Sequence, residues 1–194
     1  FDVGQVLVDY DWETYLDSFG FEPAKRERIA KATFQSPVWD ERDRGLYEED
    51  VYLKQFQELD PEDAEDIEKV IRGTGGTIHK RPYADTWVKY LKSKGYHVYI
   101  LSNYSSYMLD HTKKELTFRR EMDGEVFSCY AKQLKPDAEI YQIILNKYQL
   151  KPEECVFIDD RSENCRGAQE QGIHTICFKD FKQVTADLEK LGVK

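Results

Sequence analysis

From about residue 84 onward the hydrophobic pattern switches repeatedly between two periods. Trp87, Val88 and Leu91 recur at helical spacing across 84–94, and Gly95 can close that helix. A short β-prone run follows at 97–101, then a helix near 105–116 and a second strand at 125–130. Residues 137–148 predict a helix with Ile140, Ile143 and Ile144 on one face. The apolar run 155–158 predicts a strand bounded by two aspartates, with a helix over 162–171 that ends at Gly172. A strand at 174–178 and a helix at 182–191 complete the series. Strands alternating with helices predict βαβ units and a parallel sheet, whose ligands sit at the carboxyl ends of the strands.

The stretch from Trp12 to about Thr77 has a different pattern. It predicts helices only, near 12–19, 23–34, 47–58 and 61–72, and is rich in acidic and basic side chains. The fold class expected is therefore α/β: a Rossmann-like parallel sheet core formed by residues 1–12 and 81–194, with a small inserted helical cap over 13–80. Asp2 opens a loop directly after Phe1. A central parallel strand is buried on both faces and needs about 5 residues, so Phe1 is read as its last part, with apolar residues expected upstream.

Composition narrows the function. Hydrophobic residues make up 40% of the 194-residue chain and aromatic residues 13%, enough for a sizeable core. The formal net charge of -9 argues against nucleic acid and anionic membrane as partners. It leaves a small phosphorylated metabolite open, because one cation and one lysine reverse the field locally. No apolar run approaches the ~20 residues that span a bilayer, and no signal peptide is visible. A cytoplasmic protein is the reading, and its oligomeric state is left open. Cys129, Cys155, Cys165 and Cys177 form no C-x-x-C pair, and the four histidines are scattered. Buried reduced thiols are expected, and no zinc site.

Four predicted strand ends carry the candidate chemistry. Asp2 is followed by Val3-Gly4-Gln5; Ser102 and Asn103 follow the strand near 97–101; Lys135-Pro136 precedes a helix; Asp159 and Asp160 end the run 155–158. A parallel sheet would gather these at one edge. Three carboxylates in one pocket need a partner, and an oxygen-only donor set suits Mg²⁺. Lys135 and the Ser102 hydroxyl would hold phosphate oxygens, leaving one carboxylate to attack phosphorus. Gly73-Thr74-Gly75-Gly76 lacks the preceding strand and following Lys of a P-loop, and reads as a turn back to the core. The aromatics Trp12, Trp39, Tyr47 and Tyr52 read as packing residues or as a pocket wall.

These segments resemble the four motifs of haloacid dehalogenase-like (HAD) hydrolases: Phe1-Asp2-Val3-Gly4-Gln5-Val6-Leu7, then Leu101-Ser102-Asn103, then Lys135-Pro136 with Ile140-Tyr141, then Phe157-Ile158-Asp159-Asp160 with Asn164, Ala168 and Gly172. The resemblance implies that Asp2 forms an aspartyl-phosphate. It implies that Ser102 and the Asn103 backbone bind the phosphoryl group, and that Lys135 neutralises its charge. Asp2, Asp160 and the Gly4 carbonyl would then hold Mg²⁺, with Asp159 acting through a metal-bound water. Val8-Asp9-Tyr10-Asp11 and Trp39-Asp40-Glu41-Arg42-Asp43-Arg44-Gly45 are similar to the subgroup containing bacterial α-D-glucose-1-phosphate phosphatases. That similarity implies a sugar-phosphate substrate selected by Trp39 and Asp43.

The resemblance has one departure. The second Asp that serves most phosphatases of this superfamily as general acid and base is Gly4 here. Its absence predicts a preference for esters whose alcohol leaves readily, such as a hexose 1-phosphate, with Asp9 and Asp11 the nearest carboxylates in sequence. Two other readings stand beside the phosphomonoesterase. A 2-haloacid dehalogenase would give the acid pair Asp159-Asp160 no purpose, and a non-catalytic metal- or phosphate-binding regulatory module would have lost turnover.

Overall fold

A computed structural model describes residues 1–193. The chain runs β1 (Val8–Tyr10), α1 (Trp12–Asp17), α2 (Pro23–Ala32), α3 (Pro37–Arg44), α4 (Glu49–Leu59), α5 (Ala64–Arg72) and β2 (Ile78–Lys80). It continues through α6 (Ala84–Ser93), β3 (Tyr99–Ser102), α7 (Ser106–His111), β4 (Gly124–Phe127), α8 (Ser128–Ala131) and α9 (Ala138–Tyr148). It ends with β5 (Val156–Asp159), α10 (Ser162–Glu170), β6 (His174–Cys177) and α11 (Phe181–Lys190).

β3 pairs in parallel with β4, and β5 with β6. Residues 1–3 lie between the two pairs. The Phe1 nitrogen donates to the Tyr99 carbonyl, the Leu101 amide to the Phe1 carbonyl, and the Asp2 amide to the Ile158 carbonyl. The lateral order is thus β4, β3, residues 1–3, β5, β6. Chain order reverses at residues 1–3, which makes them the switch point where ligands bind in open α/β sheets. Alternation along the strands sends Ile100, Ile158 and Ile176 into one apolar layer and Leu101, Val126 and Phe157 into the other. Both faces of the sheet are covered by helices, as parallel strands require.

The inserted helices bury their own cluster, including Leu16, Ile29, Tyr52, Phe56, Ile67 and Ile71. Each large apolar side chain so buried contributes roughly 1.5–3 kcal/mol. Tyr10 packs against both this cluster and the one under the sheet. Two features differ from the sequence pattern. β1 and β2 form an antiparallel pair, Val8 opposite Lys80, so chain within the expected cap already returns to strand at Ile78. A further helix, α3, has no apolar stripe: its buried side chain is Arg42. Pro37 starts it and Gly45 ends it in the left-handed region, at φ 69°. All four cysteines are free, Cys129 and Cys165 buried and Cys155 and Cys177 partly so. No helix among the described residues is long and apolar enough to cross a membrane.

α3 is fastened to the core at its C-terminal turn. Ser128 Oγ donates to the Asp43 carbonyl at 2.6 Å, and Lys132 Nζ donates to the Gly45 carbonyl. A Cβ at Gly45 would lie 2.9 Å from the Cys129 Cα. Gly45→Ala therefore combines a left-handed backbone with a backbone collision, and is expected to cost roughly 1–3 kcal/mol. Urea unfolding should show a lower midpoint at an unchanged m-value; a midpoint equal to that of the wild type would disprove the clamp.

Candidate active site

The site grows from three adjacent strand ends. Asp2 leaves the central segment, Ser102 ends β3 and Asp159 ends β5. Lys135 comes from the loop before α9 and lies between them, with its side chain only 1% exposed. Its Nζ is 2.9 Å from Asp2 Oδ1 and 2.6 Å from Asp159 Oδ2. Burial alone would lower the Lys135 pKa, but the two carboxylates outweigh it and hold the ammonium above its ordinary value.

The two oxygens of Asp2 are placed differently. Oδ1 accepts from the Val3 amide at 2.7 Å, Ser102 Oγ at 2.6 Å and Lys135 Nζ at 2.9 Å. Oδ2 accepts no hydrogen bond from the described residues, so it is the oxygen available to a ligand or to an electrophile. Burial raises the Asp2 pKa, and Lys135 opposes that shift.

Asp159 is satisfied at both oxygens. Oδ1 accepts from the Arg161 amide at 2.9 Å and Asn164 Nδ2 at 3.0 Å, and Oδ2 from Lys135 and, at 3.1 Å, Asn164 Nδ2. It orients Lys135 more than it offers a free lone pair. Asn103 has a role the sequence did not reveal. Its side chain clamps the Lys135 backbone, Nδ2 donating to the carbonyl at 3.0 Å and Oδ1 accepting from the amide at 2.9 Å. The Tyr141 hydroxyl donates to the Asn164 carbonyl at 2.7 Å, so the residues trailing the third and fourth motifs brace one another.

Asp2, Asp159 and Asp160 each place a carboxylate oxygen within 4.8 Å of the others. Three carboxylates against one ammonium leave two excess negative charges, and burial first, then Asp2 and Asp159, push the Asp160 pKa up to about 6. A hard divalent cation would remove this imbalance, and the donors are all oxygen, so the residues fit Mg²⁺. Asp2 Oδ2 and Asp160 have the capacity to bind it directly, and Gly4 lines the same space.

A cavity of about 290 Å³ is bounded by Gly4, Lys135 and Asp160 at the strand ends on one side and by the inserted helices on the other. Trp39 and Asp43 both line it, as do Tyr10, Trp12, Phe34 and Met108. Tyr47 is exposed and Tyr52 is buried in the helical cluster, so neither reaches it. The rings form a continuous wall: Tyr10 stacks on Trp39 at 6.1 Å, Trp39 packs on Phe34 at 4.9 Å, and Trp12 stacks on Phe34 at 5.2 Å. Ser105 and Arg161 also line the cavity, and no spacing in the sequence singled them out. Asp9 and Asp11 are engaged elsewhere, Asp9 with Arg81 at 2.9 Å and Asp11 with the Thr14 amide at 3.0 Å. A second cavity of about 410 Å³ beside Phe1 and Val156 is mainly apolar and lacks the acidic cluster.

Two expectations follow. Lys135→Met strands the Asp2 and Asp159 charges in the interior, and should lower stability by roughly 3–5 kcal/mol in urea unfolding; a loss under 1 kcal/mol would mean that water reaches the pair. Asp160 carries the pH dependence. Because its folded pKa lies above the ordinary 3.8, the cation-free fold binds the extra proton and loses stability as pH rises from about 4 to 6. A cation competes with that proton, so Mg²⁺ affinity should rise roughly tenfold from pH 5 to pH 7 as the deprotonated fraction grows. Calorimetric titration at the two values checks it, and an affinity independent of pH would remove Asp160 from the binding set.

The chain is 25% identical over 193 residues to flavin mononucleotide hydrolase 1 of Arabidopsis thaliana, covering 100% of this chain and 76% of that one. It is 25% identical over 186 residues to D-ribitol-5-phosphate phosphatase of Bacteroides thetaiotaomicron, covering 90% and 88%. Some relatives are much longer: the match to rat bifunctional epoxide hydrolase 2, 30% identical over 107 residues, takes in 52% of this chain and 19% of that protein. Among solved structures, the HAD family enzyme bt-2542 of Bacteroides thetaiotaomicron, in complex with magnesium and inorganic phosphate, superposes with a TM-score of 0.72 at 22% identity, covering 94% of this chain and 96% of that one. The family model for haloacid dehalogenase-like hydrolases matches residues 8–172. With that model spanning most of its length, the chain belongs to the haloacid dehalogenase-like hydrolase family.

Proposed function

We propose that this protein is a Mg²⁺-dependent phosphomonoesterase that cleaves a small sugar phosphate through an aspartyl-phosphate on Asp2. The observation that carries the reading is the asymmetry of Asp2: Oδ1 is pinned by three donors while Oδ2 accepts no hydrogen bond from the described residues. A carboxylate held by one oxygen and open at the other is an oriented nucleophile. Ser102 Oγ and Lys135 Nζ, both on Asp2 Oδ1, are placed to receive phosphoryl oxygens as charge develops on them. Asn103 keeps Lys135 in register through its backbone. Asp2, Asp160 and the Gly4 carbonyl would hold Mg²⁺, with Asp159 acting through Lys135 and through bound water; the cation supplies charge neutralisation on the phosphate.

The cavity sits at the small end of the ~300–1,000 Å³ range of ligand sites, which favours a compact leaving group. The wall of Tyr10, Trp12, Phe34 and Trp39 suits the C–H faces of a sugar, and Arg161 and Asp40 at the same cavity suit its hydroxyls. A hexose 1-phosphate falls within this class, as the resemblance to glucose-1-phosphate phosphatases implies. The flavin mononucleotide and ribitol-5-phosphate enzymes among the relatives support a phosphate ester, and the magnesium–phosphate complex of bt-2542 supports the cation. A haloacid substrate would leave the acidic cluster without use. The expected partner is thus a small phosphorylated metabolite, and the charge of -9 disfavours nucleic acid and anionic membranes.

Asp2→Asn keeps the side-chain shape and removes the attacking charge. Phosphate release from p-nitrophenyl phosphate should fall by at least about 10³-fold while thermal unfolding stays cooperative. Excess EDTA should silence the wild type, and Mg²⁺ should restore it. A covalent phospho-intermediate in Asp2→Asn, or full activity in EDTA, would refute the assignment.

A further inference from the structure

Cleavage of a phosphate ester moves two protons: the departing alkoxide must gain one, and the water that attacks the aspartyl-phosphate must lose one. Position 4 is glycine, and Asp9 and Asp11 are committed to Arg81 and to the first turn of α1. Three carboxylates besides the nucleophile and Asp159 edge or adjoin the reacting space: Asp40, Asp43 and Asp160. Asp160 belongs to the acidic cluster and Asp40 is exposed to bulk water. Asp43 remains.

We propose that Asp43, carried by the inserted helix α3, is the proton donor and acceptor of the phosphoryl-transfer site. This rests on the reading of Asp2 as nucleophile. The placement of Asp43 makes the assignment physical. The Ser128 hydroxyl donates to its carbonyl at 2.6 Å and accepts the Tyr104 amide at 2.9 Å, and its carboxylate shares the cavity lining with Ser105. Tyr104 and Ser105 directly follow Ser102 and Asn103, so the loop that touches Asp2 also fixes Asp43. The backbone of Asp43 is therefore registered against the loop after Ser102 from within the core, although its helix belongs to the insertion, and its side chain lines the cavity. Burial, reinforced by Asp40 and Asp2 and opposed by Arg42, pushes its pKa up to about 7, so both protonation states are populated near neutrality.

The two steps balance as follows. Asp2 Oδ2 forms a bond to phosphorus as the bond from phosphorus to the ester oxygen breaks, and that oxygen takes the Asp43 proton. Water then attacks phosphorus, the bond from phosphorus to Asp2 breaks, and the carboxylate of Asp43 takes the proton that water gives up. Inorganic phosphate leaves with Asp2 and Asp43 restored. An acid in this position relaxes the need for an easily departing alcohol that Gly4 alone would impose.

The test uses the Mg²⁺-loaded protein and three esters of graded leaving ability: 2,4-dinitrophenyl phosphate, phenyl phosphate and glycerol 1-phosphate. In Asp43→Asn, kcat/KM should fall about 10²–10⁴-fold on glycerol 1-phosphate and progressively less on the better leaving groups, to within about threefold on 2,4-dinitrophenyl phosphate. Stopped-flow should show a dinitrophenolate burst of one per site followed by slow turnover, because water has lost its base. That retained burst also certifies a folded site. Equal losses on all three esters, or no loss on glycerol 1-phosphate, would overturn the proposal. A wild type that releases phosphate from none of the three would instead overturn the phosphomonoesterase reading, and this one with it.

Discussion

The buried ammonium of Lys135 is the contact on which the rest of the site depends. It sits within 3 Å of carboxylates from two different strands, with its side chain almost wholly buried. An unpaired charge there would be costly, so the loop before α9 and the ends of the central segment and β5 must arrive together. The surrounding polar groups serve this condition. Asn103 fixes the lysine backbone, Asn164 and the Arg161 amide fill the remaining lone pairs of Asp159, and Tyr141 steadies Asn164. The geometry that pins one oxygen of Asp2 and frees the other is a by-product of neutralising the lysine. Structural and chemical demands therefore fall on the same residues.

Much of this was legible in the sequence, for definite reasons. The strands β3 to β6 and the helices between them declare themselves by apolar period, and small polar residues directly after each strand mark the functional edge. Asp2, Ser102, Lys135, Asp159 and Asp160 could be gathered on that ground, and the structure brings them within a few ångströms. The roles within the gathering were less visible. Whether an aspartate offers a free oxygen depends on who donates to it, and the donors to Asp159 include a backbone amide and an asparagine five residues on.

α3 escaped the pattern for a different reason. A helix that buries an arginine shows no hydrophobic stripe. Arg42 is compensated by paired hydrogen bonds to Glu49 at 2.6 and 3.1 Å and by the faces of Trp39 and Tyr107, each about 5.1 Å from its guanidinium. Only Ser36-Pro37 before it and Gly45 after it signal a helix. The pair β1 and β2 was missed because three-residue strands carry too few positions to show a period. In both cases tertiary contacts decide the structure, so a window of sequence could not.

The fastening of α3 also bears on mechanics. The other inserted helices rest on a cluster of their own, while the last turn of α3 is tied to the turn after β4 by Ser128 and Lys132 and by the close fit of Gly45 on Cys129. The block is thus anchored by a foot planted beside the strand ends, in addition to its two covalent crossings. A rigid displacement that widened the cavity by turning about that foot would swing the ring of Trp39 outward while the neighbouring turn stayed in place, and would have to part the Tyr107 hydroxyl from the Arg72 carbonyl. Chain crossings alone would suggest a lid hung from its hinges; with the foot included, the block moves more like a lever, and the points farthest from α8 would travel most.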